Sequence, residues 1–182
     1  MVASGTEVLR PLRRVEYDKL VDLGVFDNER VELLDGALVA MSPIGEPHNA
    51  ALSKLTELFV LTLHGRAWVR VQMSFAALEH SEPEPDLSLV PREEYSPQKP
   101  SQAHLIVEVA ESSLAYDRVR KLRVYASCGV PEYWIVNIPE RCIEVYRDAQ
   151  GESYARVETY QPGQSIRIAA FSDVEIRVSD VL

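Results

Sequence analysis

Glu108 stands in the middle of the apolar run Leu105-Ile106-Val107-Glu108-Val109, where its neighbours leave no obvious place for a charge. A carboxylate buried without a partner costs several kcal/mol, so it must find a cation, a metal or a proton. Asp86 follows Pro85 at the head of a second strand-like segment. Two strands joined by the loop 91–103 can lie antiparallel with Asp86 near Glu108. Two carboxylates converging there make a hard-oxygen site suited to Mg²⁺ or Mn²⁺. Local sequence leaves other roles open. An aspartate after a proline also bonds its own backbone in a turn, and a lone glutamate in a strand also serves as a structural ion-pair partner.

Downstream of Glu108, Arg118, Arg120, Lys121 and Arg123 put four cations in six residues, with Asp117 four residues before Lys121. The plain reading is a solvated helix face with an i,i+4 pair. Lys121 differs from its neighbours: at about 100° per residue it lies about 120° from the centre of the apolar stripe, at its border. A long side chain there can reach back over the strand ends. His48 sits four residues before Leu52, which aims its imidazole along a buried stripe, as a core histidine or as a ligand. His64, His80 and His104 share no zinc-site spacing, and Cys128 and Cys142 form no CxxC pair, so zinc is not expected. Glu79, Glu82, Glu84, Glu93 and Glu94 read as a solvated loop surface.

These side chains need elements to hold them. Leu12 to Leu23 reads as a short helix stopped by Gly24. Val31–Leu34 and Ala37–Met41 flank Asp35-Gly36, a strong hairpin signal that places Glu32 on its first strand. Leu52, Leu55, Phe59 and Leu63 recur at three and four, giving an amphipathic helix from Pro47 to His64 ended by Gly65. Trp68 to Gln72, Asp86 to Val90 and Leu105 to Val109 read as strands, with Gln72 a possible polar neighbour of Asp86. Ala115, Val119, Leu122 and Ala126 define a second helix, from Ser112 or Ser113 to about Cys128. Tyr133–Val136, Cys142–Arg147, Tyr154–Thr159 and Val174–Val178 complete the strands, with a turn at 148–151. Helices and strands interleave around one buried strand, which predicts an α/β fold with a mixed sheet flanked by helices.

The chain has 182 residues, 46% of them apolar, enough for one domain with a real core. The apolar stretch Leu58 to His64 spans seven residues and no stretch free of charged residues exceeds ten, far short of the roughly twenty a membrane helix needs. No membrane association is expected. The amino terminus lacks the pattern of a secretory signal, and two cysteines are too few for a disulfide framework, so the expectation is a cytoplasmic protein with reduced thiols. A net charge of −9 excludes a broad basic face that coats nucleic acid by charge alone. It leaves room for a carboxylate-rich metal enzyme.

The order Glu32 in VELLDGALVAMSP, His48, Pro85-Asp86, Glu108 in IVEVAESS, Asp117 to Lys121 and the run GVPEYWIV resembles the Uma family of restriction-endonuclease-like proteins, in the PD-(D/E)xK nuclease superfamily. The resemblance covers about residues 13 to 147. It implies one restriction-endonuclease-like domain across 1–182, with the N-terminal helix and C-terminal strands appended to that core. It implies Mg²⁺ or Mn²⁺ held by Asp86, Glu108 and the carbonyl of Val109, with Lys121 activating water, Glu32 reaching the outer shell of the metal, and His48 positioning water or Glu32. In the superfamily motif the lysine stands two residues after the second carboxylate; here that position is Ala110, and the function is transferred to Lys121. The implied activity is hydrolysis of DNA phosphodiesters by a homodimer, with Tyr146, Tyr154 and Tyr160 as interface surface or core. Two other readings stand beside it: a non-catalytic module that binds nucleic acid or protein, and a phosphoesterase acting on small nucleotides.

Overall fold

The computed structural model describes residues 10–92 and 98–182; Glu93 and Glu94 lie outside the described residues. Helix α1 (Arg14–Asp22) leads to a hairpin of β1 (Val31–Leu34) and β2 (Ala37–Ala40). Asp35 and Gly36 carry its turn at φ of 51° and 76°, the left-handed pair that matches strand twist. A side chain at Gly36 would collide with Pro11. Helix α2 (Glu46–Leu63) buries His48, Leu52, Leu55, Phe59 and Leu63 on one stripe and ends in left-handed His64.

Six strands then form the sheet: β3 (Ala67–Val71), β4 (Leu87–Pro91), β5 (Leu105–Ala110), then a crossover, β6 (Glu132–Asn137), β7 (Cys142–Gln150) and β8 (Ser153–Tyr160). The spatial order equals the chain order, and only β5 and β6 are parallel. A parallel neighbour requires a crossover. Here it comprises the single turn α3 (Leu114–Tyr116), a π-helical turn Asp117–Lys121 and α4 (Leu122–Ser127). A final hairpin, β9 (Ser165–Ile168) and β10 (Phe171–Arg177), lies outside the sheet order. Strand β9 is not expected from the sequence, and the 148–151 turn falls instead at 151–152, between β7 and β8.

Alternation along β5 divides the core. Leu105, Val107 and Val109 pack with Leu55, Phe59 and Trp134 beneath α2, together with Ile166, Ile168 and Ile176 of the last hairpin. Ile106 and Ala110 point the other way, into a cluster of Phe75, Tyr125, Tyr133 and Ile135 beneath α4. The residues after 147 are therefore part of the main core. Tyr146 and Tyr154 lie 5.8 and 6.3 Å from Tyr133, ring centroid to ring centroid, and pack against that second cluster. Tyr160 packs, partly buried, against the first. All three are partly buried against the two core clusters.

The acidic run before Asp86 is not a solvated surface throughout. Glu82 is buried, its carboxylate 2.5 Å from Lys99, and its backbone bridges to Leu33. Glu84 pairs with Arg30.

The glutamate of GVPEYWIV also has a structural reason. Glu132 is fully buried and accepts hydrogen bonds from Trp134 Nε1 (2.8 Å), Arg147 Nη2 (2.7 Å) and the Ala169 backbone N–H (2.7 Å). One carboxylate thus fastens the β9–β10 turn to the sheet. Removing one partner of a buried pair leaves an uncompensated charge, so Glu132→Ala should cost about 3–5 kcal/mol. Urea unfolding checks this, and a loss below about 1 kcal/mol would contradict the role.

Candidate active site

The register Leu87↔Val107 between antiparallel β4 and β5, extended by one residue, sets Asp86 beside Glu108. The two carboxylates are held differently. Asp86 Oδ2 accepts the Val109 N–H at 2.8 Å and lies 3.0 Å from His48 Nε2 in the first turn of α2. Glu108 Oε1 accepts Lys121 Nζ at 3.0 Å and the Tyr125 hydroxyl at 2.6 Å. Lys121 also lies 3.5 Å from Glu32 Oε2, which in turn accepts the Glu84 N–H at 3.1 Å. The structure therefore brings Asp86, Glu108, Lys121, Glu32 and His48 around one site. His48 contacts Asp86 instead of Glu32, and Glu32 contacts Lys121.

The depth of Lys121 departs from the helical reading. Lys121 is 5% exposed, whereas Val119, assigned by periodicity to the buried stripe, is 70% exposed. The π turn explains both. Bonding from i to i+5 inserts an extra residue into one turn, so the chain beyond it is rotated by about 100° relative to an uninterrupted α-helix. Asp117 and Lys121, expected as a solvated pair, are both buried. Asp117 Oδ2 accepts the Ser113 hydroxyl at 2.5 Å. The three arginines are not free phosphate-seeking cations either: Arg118 makes a double contact with Glu144 at 3.0 and 2.5 Å, and Arg120 and Arg123 both hold Asp35. Ala110 is fully buried in the second cluster, so a lysine there has no space, which is a steric reason for the amine to arrive from the crossover.

Four carboxylates now surround one ammonium. Burial alone would lower the Lys121 pKa, but Glu108, Glu32, Asp117 and Asp86 together raise it, so it stays protonated. Burial pushes the Glu108 carboxyl well above its ordinary value, Lys121 opposing and the neighbouring carboxylates adding to it. Burial also pushes Asp86 upward, yet His48, the Val109 N–H and Lys121 together hold it below the usual range. Asp117 is pushed up to about 6 by burial, against Lys121 and the Ser113 hydroxyl. Tyr125, on which Glu108 depends, is a site residue that sequence reasoning misses, although it stands four residues after Lys121 on one helix face.

The donor set suits a hard divalent cation. Every hydrogen bond to Asp86 falls on Oδ2 and every one to Glu108 on Oε1. Asp86 Oδ1 and Glu108 Oε2 thus have no protein partner among the described residues. The Val109 N–H points to Asp86, and a strand residue's C=O points to the same side as its N–H, so the carbonyl shares that side. At a separate convergence of ligand atoms within 4.8 Å, Glu140, Cys142 and Glu144, Arg118 already contacts both carboxylates. The carboxylate site opens into a cleft of about 340 Å³ walled by β2 and residues 41–45.

A six-stranded mixed sheet flanked by helices, with acidic groups on the antiparallel pair β4–β5 and an amine on the following crossover, is a restriction-endonuclease-like arrangement. The chain belongs to the Uma2 family, described as "Putative restriction endonuclease", whose family model matches residues 15–179. It is also similar in fold to the crystal structure of a nuclease, described as putative and assigned to DUF820, from Anabaena variabilis. The TM-score is 0.70 at 17% identity, covering 94% of this chain and 97% of that one. No curated protein matches the chain. No helix among the described residues is long and apolar enough to cross a membrane.

Asp117 gives a pH signature. Its carboxyl rises from an ordinary 3.8 to about 6 in the fold, so the folded state favours the proton. That preference stabilises the protein below about pH 4 and is lost as pH climbs to about 6. Asp117→Asn should flatten this part of the stability profile, by on the order of 2 kcal/mol. Denaturant melts from pH 4 to 7 check it; parallel profiles for variant and wild type would contradict the assignment.

Proposed function

We propose that this protein is a metal-dependent nuclease that hydrolyses phosphodiester bonds in DNA, with Mg²⁺ or Mn²⁺ held by Asp86, Glu108 and the Val109 carbonyl. The observation that carries it is the pairing of two partnerless carboxylate oxygens with an excess of negative charge, next to a buried ammonium. A bound divalent ion would polarise the phosphate and acidify a water molecule.

The chain's own residues do the rest. Lys121, its ammonium held between Glu108 and Glu32, supplies positive charge for the phosphorane-like transition state. Tyr125 and Glu32 fix that ammonium and Glu108 in place. His48 and the Val109 N–H fix the rotamer of Asp86. Two copies forming a homodimer belong to this reading; sedimentation at twice the 20.5 kDa chain mass tests it.

Cleavage of plasmid and oligonucleotide with Mg²⁺, Mn²⁺ or EDTA tests the activity, with Asp86→Ala as the blank for contaminating nuclease. Lys121→Ala should lower the rate by on the order of 10²–10³ while calorimetry still registers Mn²⁺ binding. Asp86→Asn combined with Glu108→Gln should abolish that binding. Wild-type cleavage by Lys121→Ala would remove the amine from the mechanism, and Mn²⁺ affinity unchanged in the double variant would remove the metal site.

A further inference from the structure

The geometry points to an unpaired nucleic-acid strand, not an intact duplex, as the substrate of the cleft, an inference that rests on the nuclease reading above. The carboxylates lie on the floor: Glu108 is buried and Asp86 nearly so. A scissile phosphate must descend to them through a cleft of about 340 Å³, near the lower bound of ordinary small-ligand pockets. An intact duplex carries its second strand and stacked bases along with each phosphate, and a cleft of this size suits a single strand better.

The lining agrees with the size. Val39, Met41 and Ile44 form an apolar wall of the cleft, which Arg30, Glu84 and Glu111 also line. A duplex presents charged phosphates to whatever faces its backbone, and apolar side chains give them nothing. Splayed-out bases offer flat faces that pack on apolar and aromatic groups. Tyr116 lines the same cleft, its hydroxyl buried with no partner among the described residues, and burial keeps it protonated as a donor. It is placed for a base edge or a sugar.

The wall is also anchored. Asp35 at the hairpin turn is gripped by Arg120 Nε at 3.2 Å and Arg123 Nη2 at 2.5 Å, and Arg120 Nη2 bonds the Leu34 carbonyl at 2.7 Å. The Gly36 N–H bonds the His80 carbonyl at 2.7 Å, and the Leu12 N–H bonds the Gly36 carbonyl at 2.9 Å. The crossover, the loop before β4 and the N-terminal segment thus hold one turn from three directions, and the hairpin resists swinging aside for a wider substrate.

The test uses one labelled DNA sequence, single-stranded and annealed, with bis(p-nitrophenyl) phosphate as a small diester, all with Mn²⁺ and with Asp86→Ala as the blank. The single strand should be cut at least ten times faster than the duplex. Duplex cleavage as fast as the single strand, with the small diester also hydrolysed, would overturn the inference and leave the nuclease reading standing. No hydrolysis of any of the three would overturn both. Asp35→Asn keeps a residue type that tolerates the left-handed turn but removes the charge that anchors the hairpin. It should raise the duplex rate several-fold relative to the single strand, with Arg123→Ala as the alternative if its thermal melt shows loss of folding. An unchanged ratio in a folded variant would overturn the role given to the hairpin.

Discussion

The buried contact between Lys121 and Glu108 organises the site, because neither group is tenable alone. A glutamate in the central strand needs a cation, and an ammonium at that depth needs anions on several sides. Glu32 from the hairpin, Asp117 from the π turn and Asp86 from the head of β4 supply them, so separate elements are drawn to one point. Charge is left over after Lys121 is counted, and that surplus separates this cluster from an ordinary structural ion pair. Stability is given up locally to hold this surplus, which the proposed cation would balance.

The parallel step between β5 and β6 explains how the amine gets there. A parallel pair obliges the chain to cross one face of the sheet, and the covering segment passes directly above the Glu108 side of β5. A lysine on that segment reaches the carboxylate without occupying the packed position of Ala110. The same crossover sends Arg120 and Arg123 to Asp35 and Arg118 to Glu144, so its outer cations secure the hairpin on one side and β7 on the other. A run of charge that looks like solvent-facing decoration is a set of braces.

Most of the frame is legible in the sequence. Alternation and turn residues locate β1 to β8 to within a residue or two at most ends, and one charge inside an apolar run marks Glu108. The antiparallel return from Asp86 comes from strand order. The features that escape depend on events that periodicity does not encode. A π turn leaves no compositional trace, so helical spacing puts Val119 inside and Lys121 at the border. Glu82 looks like its acidic neighbours until Lys99, seventeen residues away, closes on it. Ser165–Ile168 is too short to stand out without the partner strand that pairs with it. Tyr125 carries no sign that its hydroxyl will be needed by a carboxylate on another element.

The π turn makes chain length, more than residue identity, the sensitive variable in this stretch. Substitutions at exposed Val119 leave the backbone bonding as it is. Deleting one residue between 117 and 121 would let the turn relax to ordinary α-helical bonding and swing the two sides of the crossover by about 100° relative to each other, taking the amine off Glu108. Insertions and deletions here therefore act on the position of the amine directly, while the same changes in the β7–β8 turn alter only the length of a hairpin.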